Sequence, residues 1–132
     1  MSKESLLIIS EAMKDLGINY DFMEWNGEPE YPYFVGEYQE VPTLNEDGMQ
    51  ETSFIMTGFT RDLDGKKSAY PALEEAKEKI ASYFGKVGGK TVITALGAAV
   101  AVFYSNSLVI PTGDAELKKI QINLTVKEWS VN

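Results

Sequence analysis

The sequence predicts an α+β fold, a mainly antiparallel β-sheet with two α-helices packed on one face, in the order α-β-β-β-α-β-β. Three observations support this. Two segments repeat apolar residues at helical spacing, two central segments are rich in aromatic and β-branched residues, and a C-terminal segment alternates between apolar and polar residues. The chain has 132 residues and 44% apolar content, so we expect a single domain over residues 1–132.

Two helices are predicted from apolar residues spaced by three and four positions. The first stripe is Leu6, Ile9, Met13 and Leu16. Ser2 can cap the start of this helix, and Gly17 suits the left-handed backbone that ends it. The second helix begins at Pro71, a favourable first helical residue, and ends before Gly85. Its stripe is Leu73, Ala76, Ile80 and Tyr83.

The strands are predicted from composition and turn signals. Residues 18–25 form a short strand. Residues 31–41 and 52–60 are expected to pair as antiparallel strands, because the Asp47-Gly48 pair between them is a strong hairpin signal. Residues 97–104 and 108–110 flank Ser105-Asn106, which indicates a tight turn.

The last strand has the clearest pattern in the chain. Its apolar positions are Ile120, Ile122, Leu124 and Val126, and polar residues lie between them. This alternation predicts one buried face and one wet face. Trp129 breaks the phase, which indicates either a β-bulge or a strand end reserved for a contact.

Acidic charge is concentrated in one part of the chain. The net charge is -8, and residues 15–60 contain ten carboxylates and no Lys or Arg, whereas the other segments carry twelve basic and ten acidic residues. A surface charged in this way repels polyanions and attracts basic surfaces.

The composition excludes several kinds of chemistry. The chain has no Cys and no His, which removes thiol nucleophiles, imidazole bases, disulfides and the usual zinc and haem ligands. The apolar run at residues 6–9 lies between Glu4 and Glu11, unlike a signal peptide, and the run at residues 92–103 is too short to span a bilayer. We therefore expect a soluble cytoplasmic protein without a cofactor or metal.

Two motif-like strings fail their spacing tests. Residues 85–91 resemble a phosphate-binding loop, but the first glycine comes one position late and the loop follows a helix. Thr60, Asp62 and Asp64 partly match a calcium loop, but Pro71 stands where the loop needs a bidentate Glu. No base or nucleophile accompanies the carboxylates near the aromatic residues, so we expect no enzyme activity.

The aromatic segment at residues 31–38 places apolar surface on both faces of a strand. Tyr33 and Val35 share one face, and Phe34, Gly36 and Tyr38 share the other. One face can belong to the core. The second face either completes a two-sided core or forms a subunit interface, since Tyr is enriched at interface centres.

The central segment resembles a known family. The run Tyr31-Pro-Tyr-Phe-Val-Gly-Glu-Tyr38, the Asp47-Gly48 turn and Ser53-Phe-Ile-Met-Thr-Gly-Phe-Thr60 are similar to the central hairpin of tail-completion proteins, also called tail terminators, of long-tailed bacteriophages and prophages of Gram-positive bacteria. The order of elements is similar as well, and the resemblance covers most of the chain.

The resemblance implies a structural virion protein that caps the tail tube as a ring, typically a hexamer, and takes part in head-tail joining. The implied partners are further copies of the chain, the tail tube protein and a head-completion or connector protein. DNA would pass without specific binding, and no membrane would be involved. The protein would be found in the virion tail, and in the host cytoplasm during assembly.

A ring requires two different patches that fit each other, and unlike charge on them favours closure. The residues that we expect at a subunit or partner interface are Tyr31, Tyr33, Phe34, Tyr38, Arg61, Lys66, Lys67 and Trp129. The carboxylates that we expect to line the channel and repel passing DNA are Glu37, Glu40, Glu46 and Asp47.

A second hypothesis is an acidic DNA mimic, or another inhibitor of a host protein, encoded by a phage or prophage. A mimic needs carboxylates at higher and more uniform density than the charge-balanced segment at residues 71–86 provides. It would bind a basic host protein as a monomer or dimer, whereas a tail terminator would assemble into a ring.

Overall fold

Two helices pack on one face of a six-stranded sheet in a computed structural model that describes residues 1–28, 30–39, 49–62, 69–85, 90–93, 97 and 99–129. The elements in chain order are α1 (Lys3–Asp15), β1 (Asn19–Phe22), β2 (Tyr33–Gln39), β3 (Met49–Arg61), α2 (Tyr70–Phe84), β4 (Lys90–Ile93), β5 (Ala99–Ile110) and β6 (Leu117–Trp129). The predicted α+β class is confirmed. β4 is not predicted from the sequence, and the strands predicted at residues 97–104 and 108–110 are joined in β5.

The strands lie side by side in the order β1-β2-β3-β6-β5-β4. All neighbours are antiparallel except β1 and β2, which are parallel. β3 and β6 form the centre and pair along their whole length, from Met49 opposite Trp129 to Arg61 opposite Leu117. The predicted antiparallel pairing of β2 with β3 is confirmed, whereas the Asp47-Gly48 turn lies outside the described residues.

Local signals set both ends of α1, as predicted. The Ser2 hydroxyl accepts a hydrogen bond from the Ser5 N–H at 3.2 Å. At the other end Gly17 has a φ of +70°, and the N–H of Ile18 donates to the Met13 carbonyl at 2.9 Å. This is a Schellman ending, in which a left-handed glycine satisfies carbonyls that the helix would otherwise leave unpaired.

The first turn of α2 is tied to the end of β3. The carboxylate of Asp62 is buried and accepts a hydrogen bond from the Ala69 N–H at 3.1 Å, one residue before the helix begins. In this structure Asp62 therefore joins a strand to a helix. Phe84 completes the buried stripe of α2 in place of the predicted Tyr83, which is half-buried beneath the Lys90 ammonium group.

The core lies between the helices and one face of the sheet. From β6 it takes the four alternating residues that the sequence predicts, and all are buried: Ile120, Ile122, Leu124 and Val126. Phe34 and Phe54 contribute aromatic rings to the core from β2 and β3, and both are completely buried. The alternation in β6 therefore places one whole sheet face under the helices.

One prediction about the C-terminal strands is wrong. Ser105-Asn106 is not a turn, because β5 runs unbroken from Ala99 to Ile110, and the pairing with β6 shifts between Tyr104 and Asn106. Ser105 is the extra residue of this bulge, which explains the local loss of alternation that resembled a turn. For Trp129, the bulge is excluded, since β6 remains in register with Met49 and Ala99 up to that residue. β6 ends at Trp129, which agrees with the other predicted alternative, a strand end.

A candidate interaction surface on the open face of the sheet

The sheet face opposite the helices carries Tyr33, Phe59 and Lys119, and we refer to it as the open face. Within the described residues the helices contact the other face, where the core lies. Strand pairing aligns Tyr33 with Phe59, Phe59 with Lys119, and Lys119 with Ile110, so these four residues form one row across β2, β3, β6 and β5. Side chains in such a row are direct neighbours.

Four aromatic rings meet at the β2 end of this row. Tyr33 stacks on Phe59 with ring centroids 5.2 Å apart. Trp25 lies 5.0 Å from Tyr33, and Tyr31 lies 5.7 Å from it. Trp25, Tyr31, Tyr33 and Phe59 are called the aromatic cluster below. Because the hydrophobic core lies on the opposite sheet face, the cluster presents apolar area on the surface of the domain.

Cations border the aromatic cluster. The ammonium group of Lys119 lies 5.5 Å from the centre of the Phe59 ring. Farther along the same face, the ammonium group of Lys127 lies 5.3 Å from the centre of the Phe103 ring. These are cation–π distances, worth about 0.5–1 kcal/mol each at exposed sites. They hold both lysines over the sheet.

Arg61 connects the aromatic cluster to the loop between β5 and β6. Its guanidinium group lies 3.2 Å from a carboxylate oxygen of Asp114 and 3.7 Å from one of Glu116. Its pKa is raised, first by a side-chain hydrogen bond with Tyr31 and then by one with Asp114. The planar guanidinium group of Arg61 thus binds Tyr31 of the aromatic cluster and the acidic loop between β5 and β6 at the same time.

Two further pKa shifts describe this end of the sheet. The backbone N–H of Glu116 donates to the carboxylate of Asp114 at 3.0 Å, and this bond lowers the pKa of Asp114, assisted by Arg61. Burial raises the pKa of Tyr33, with a further contribution from Tyr31. Tyr33 therefore stays neutral at physiological pH and can bind through its ring and its hydroxyl.

The open face is charged unequally along the strand order. Its acidic positions lie on β1, β2 and β3, at Asp21, Glu37 and Glu51, as the pairing pattern shows. Its lysines lie on β6, at Lys119 and Lys127. The acidic positions therefore lie toward the β1 edge, and the lysines lie on the central strand β6, beside Glu51 and Arg61 of β3.

The structure divides the predicted interface residues among several places. Tyr31, Tyr33 and Arg61 come together at the aromatic cluster. Phe34 belongs to the core, because alternation along β2 points its side chain toward the helices. It is therefore not part of the surface. Tyr38 also points to the helix side, where it stacks on Phe22 with centroids 5.9 Å apart.

Trp129 lies on the open face but far from the aromatic cluster. It is ten positions along β6 from Lys119, which corresponds to about 34 Å at the rise of an extended strand. Of the predicted channel residues, Glu37 is exposed on the open face. The other predicted residues, Lys66, Lys67, Glu40, Glu46 and Asp47, lie outside the described residues.

Sequence reasoning missed Trp25 and Phe59. Phe59 has the strand parity of the exposed residues of β3, and it would have been found from the pairing register with Tyr33. Trp25 follows the end of β1, and its indole N–H donates to the Glu28 carbonyl at 3.0 Å, which helps hold the ring beside Tyr33. The sequence around Trp25 carries no signal for that contact.

The described residues include no group of three or more carboxylates placed to hold a metal ion. Over the same part of the chain, neither helix combines the length and the apolar character needed to cross a bilayer. In comparisons with known proteins, no family model and no curated relative matches the sequence.

Proposed function

We propose that the protein is a structural component of a phage or prophage tail, which caps the tail tube as a ring of identical subunits and takes part in head-tail joining. The observation that carries this proposal is the aromatic cluster on the open face. The helices cover the other face, so the cluster is not needed to build the core.

Surface aromatic residues beside an arginine are the composition of protein interface centres. Tyr33 and Phe59 stack on a rigid pair of long strands, so their rings are already oriented before a partner arrives. Preorganised rings lose little conformational entropy on binding. This supports a role in assembly, with a protein partner on the open face.

The charge distribution supports a ring of identical subunits. In a ring each subunit uses two different patches, and unlike charge on those patches favours closure over self-repulsion. The acidic residues of β1 and β2 lie toward one edge of the strand order, whereas Lys119 and Lys127 lie on the central strand β6. Head-to-tail contact brings the acidic edge of one subunit to the side of the next subunit's sheet on which these lysines lie, across the uncharged strand β5.

In this proposal the partners are further copies of the chain, the tail tube protein and a head-completion protein. DNA passes through the ring without specific binding, and exposed carboxylates such as Glu37 face the channel. Screening acts within about 8 Å at physiological ionic strength, so only carboxylates close to the lumen affect the passing DNA. The protein acts in the virion tail and transforms no substrate.

The alternative, an acidic DNA mimic, receives less support from this surface. A mimic presents carboxylates at regular spacing to a basic protein. On the open face, Lys127 lies directly opposite Glu51, and Arg61 holds Asp114 and Glu116. These cations interrupt any continuous acidic row.

The test is deletion of the coding region from the phage or prophage that carries it, followed by electron microscopy of induced lysates. We expect overlong or headless tails, which the wild-type protein corrects in trans. A Tyr33→Ser/Phe59→Ser variant should fail to correct them, whereas the matched control Thr57→Ser, on the same face of β3, should succeed. Normal virions from the deletion strain would overturn the proposal.

A further inference from the structure

The outer edge of β5 is only partly covered. β4 pairs with residues 99–102, and the Tyr104 N–H donates to the Gly85 carbonyl at 3.0 Å. Beyond that point, no described strand pairs with the outer edge of residues 106–110. We call this uncovered part of β5 the notch, because β4 ends before it.

Residues 106–110 themselves contain no charge, proline or bulge, although the bulge at Ser105 and Pro111 border them. Natural edges carry charges, prolines or bulges that discourage pairing with another chain. β5 contains no charged residue, and its bulge at Ser105 lies before the notch. Leu108 is 48% exposed and Val109 is 57% exposed, on opposite faces of the strand. A bare apolar edge of this kind is typical of a strand that pairs with a partner.

The opposite end of the sheet offers a second free edge. β1 is the last strand on that side in the described sheet. Large apolar side chains are exposed beside it, with Leu7 57%, Phe22 36% and Met23 67% exposed. A groove of about 310 Å³ runs between β1 and α1 and is lined in part by Leu7, Tyr20 and Phe22.

From these two edges we infer that β1 of a second copy pairs with the notch of β5, so that the sheet continues from one subunit to the next. This inference rests on the proposed ring, and it names the two strands that close it. Each copy would offer one notch and one β1, which gives a head-to-tail contact.

The lengths and directions of the strands fit this pairing. β1 has four residues, and the notch at residues 106–110 can hold them. Following the pairings across the sheet, β1 runs in the direction opposite to β5. Rotation about an axis parallel to the strands would therefore place β1 of the next copy antiparallel to β5, in line with β4 of the first copy.

The two faces of the sheet fix the register. Val109 and Ser107 lie on the helix side, because they pair with Ile120 and Ile122. Tyr20 and Phe22 of β1 also lie on the helix side. The register that uses all four residues of β1 sets Tyr20 opposite Val109 and Phe22 opposite Ser107, and Val109 then meets the groove beside α1.

Charge on the open face agrees with this register. It places Asp21 opposite Leu108, two positions along β5 from Ile110, and Ile110 pairs with Lys119 on the neighbouring strand. Asp21 of one copy and Lys119 of the next would then lie two strand spacings and two residues apart, roughly 12 Å, so their attraction is weak beyond a screening length of about 8 Å. No Lys or Arg of residues 15–60 opposes this contact.

Disulfide trapping tests the pairing directly, because the chain has no cysteine of its own. Single-cysteine variants are mixed in pairs and oxidised, alone and with tail tubes. Ser107→Cys with Phe22→Cys, and Leu108→Cys with Asp21→Cys, should cross-link, since residues directly opposite have Cβ atoms about 4.5–5.5 Å apart.

The matched controls exchange the partners. Ser107→Cys with Asp21→Cys, and Leu108→Cys with Phe22→Cys, place the thiols on opposite faces and should link at least about tenfold less than the first two pairs. Equal yields from all four mixtures, or yields no higher than those of each variant alone, would overturn the inference. If electron microscopy shows rings that none of the four pairs can trap, the edge pairing is wrong and the ring proposal stands.

Discussion

The ring of Phe34 lies over Gly58 of the neighbouring strand, so closely that a Cβ at Gly58 would come within 2.7 Å of the ring Cζ atom. A second contact of this kind places the Phe54 ring over Gly36, 2.5 Å from the position that a Cβ would occupy. Each of the two strands, β2 and β3, thus places one of its aromatic rings over a glycine of the other strand. Each glycine leaves room for a buried ring at the centre of the core.

Gly58→Ala should destabilise the fold, because the Phe34 ring is completely buried and can move only if the core shifts. We expect a loss of about 1–3 kcal/mol in the free energy of unfolding, the usual cost of overpacking. Urea denaturation of the purified protein measures it. Ser53→Ala, on the exposed face of β3, is the matched control and should change stability by less than about 0.5 kcal/mol.

A double-mutant cycle identifies the cause of that loss. Gly58→Ala should cost less in a Phe34→Leu background, because leucine lacks the ring atoms that meet the new methyl group. Equal costs in both backgrounds would contradict the steric explanation.

The same contact shows what the sequence could reveal. Alternation in β2 predicts that Phe34 and Tyr33 lie on opposite faces, and this is confirmed. Alternation alone cannot say which of the two faces meets the helices. The helices are placed by their own stripes and by distant pairings, so the sequence predicts Phe34 at an interface although it belongs to the core.

The candidate surface was less predictable than the fold. Tyr31 and Arg61 were selected from the sequence, but their connection through the loop between β5 and β6 depends on Asp114, which is 53 residues away from Arg61. The bulge at Ser105 was also hidden, because one extra residue in a strand resembles a turn when no partner strand is known. Local patterns define elements, whereas long-range register defines surfaces.

Glu128 should be important for stability although it is a charged residue near the end of the last strand. Its carboxylate accepts hydrogen bonds from the Ser5 hydroxyl at 2.9 Å and from the Ser2 N–H at 3.1 Å, and it thereby ties β6 to the start of α1. Ser5 is completely buried. Glu128→Ala should cost about 1–3 kcal/mol, because it removes the acceptor of a buried hydroxyl.

Thermal and urea denaturation measure the effect of Glu128→Ala. The control is Glu11→Ala on the exposed side of α1, which should stay within about 0.5 kcal/mol of wild type. Hydrogen exchange should show faster opening at the N-terminal turn of α1 in the Glu128 variant. Unchanged exchange in that turn would mean that the bonds to Glu128 contribute nothing to its stability.

The decrease in folding stability at acidic pH should depend on Glu74 in α2. Hydrogen bonds from Lys77 and Tyr70 lower the pKa of Glu74 below its ordinary value. A carboxylate with a lowered pKa stabilises the folded state near neutral pH, and this contribution is lost as the pH falls through its folded-state pKa. The pair is partly exposed, so we expect an effect below about 1 kcal/mol.

Urea denaturation between pH 7 and pH 3 tests this. In the Glu74→Gln variant we expect the free energy of unfolding to fall less steeply as the pH is lowered. In a Lys77→Met background the same substitution should have a smaller effect, because Lys77, whose hydrogen bond lowers the pKa of Glu74 most, is gone. On the alkaline side, the raised pKa values of Lys77 and Tyr70 predict that stability is lost as the pH rises through them. A Glu74→Gln profile parallel to wild type would refute the assignment.

Arg61 should affect partner binding more than stability. Its ion pairs with Asp114 and Glu116 are exposed and screened by solvent, so Arg61→Gln should change stability little. The same substitution releases the Tyr31 hydroxyl and lets that ring leave Tyr33. If the aromatic cluster is the assembly surface, binding to tail tubes should fall by about tenfold, because a preorganised ring has become mobile.

Arg61→Lys distinguishes geometry from charge at this position. Lysine keeps the positive charge but cannot reach Tyr31 and Asp114 together through a planar fork. We therefore expect Arg61→Lys to behave like Arg61→Gln in co-sedimentation with tail tubes, and Trp25 fluorescence to change in both variants because the ring beside Tyr33 has moved. Full binding by Arg61→Lys would show that charge alone is sufficient, and the argument from an oriented aromatic cluster would then fail.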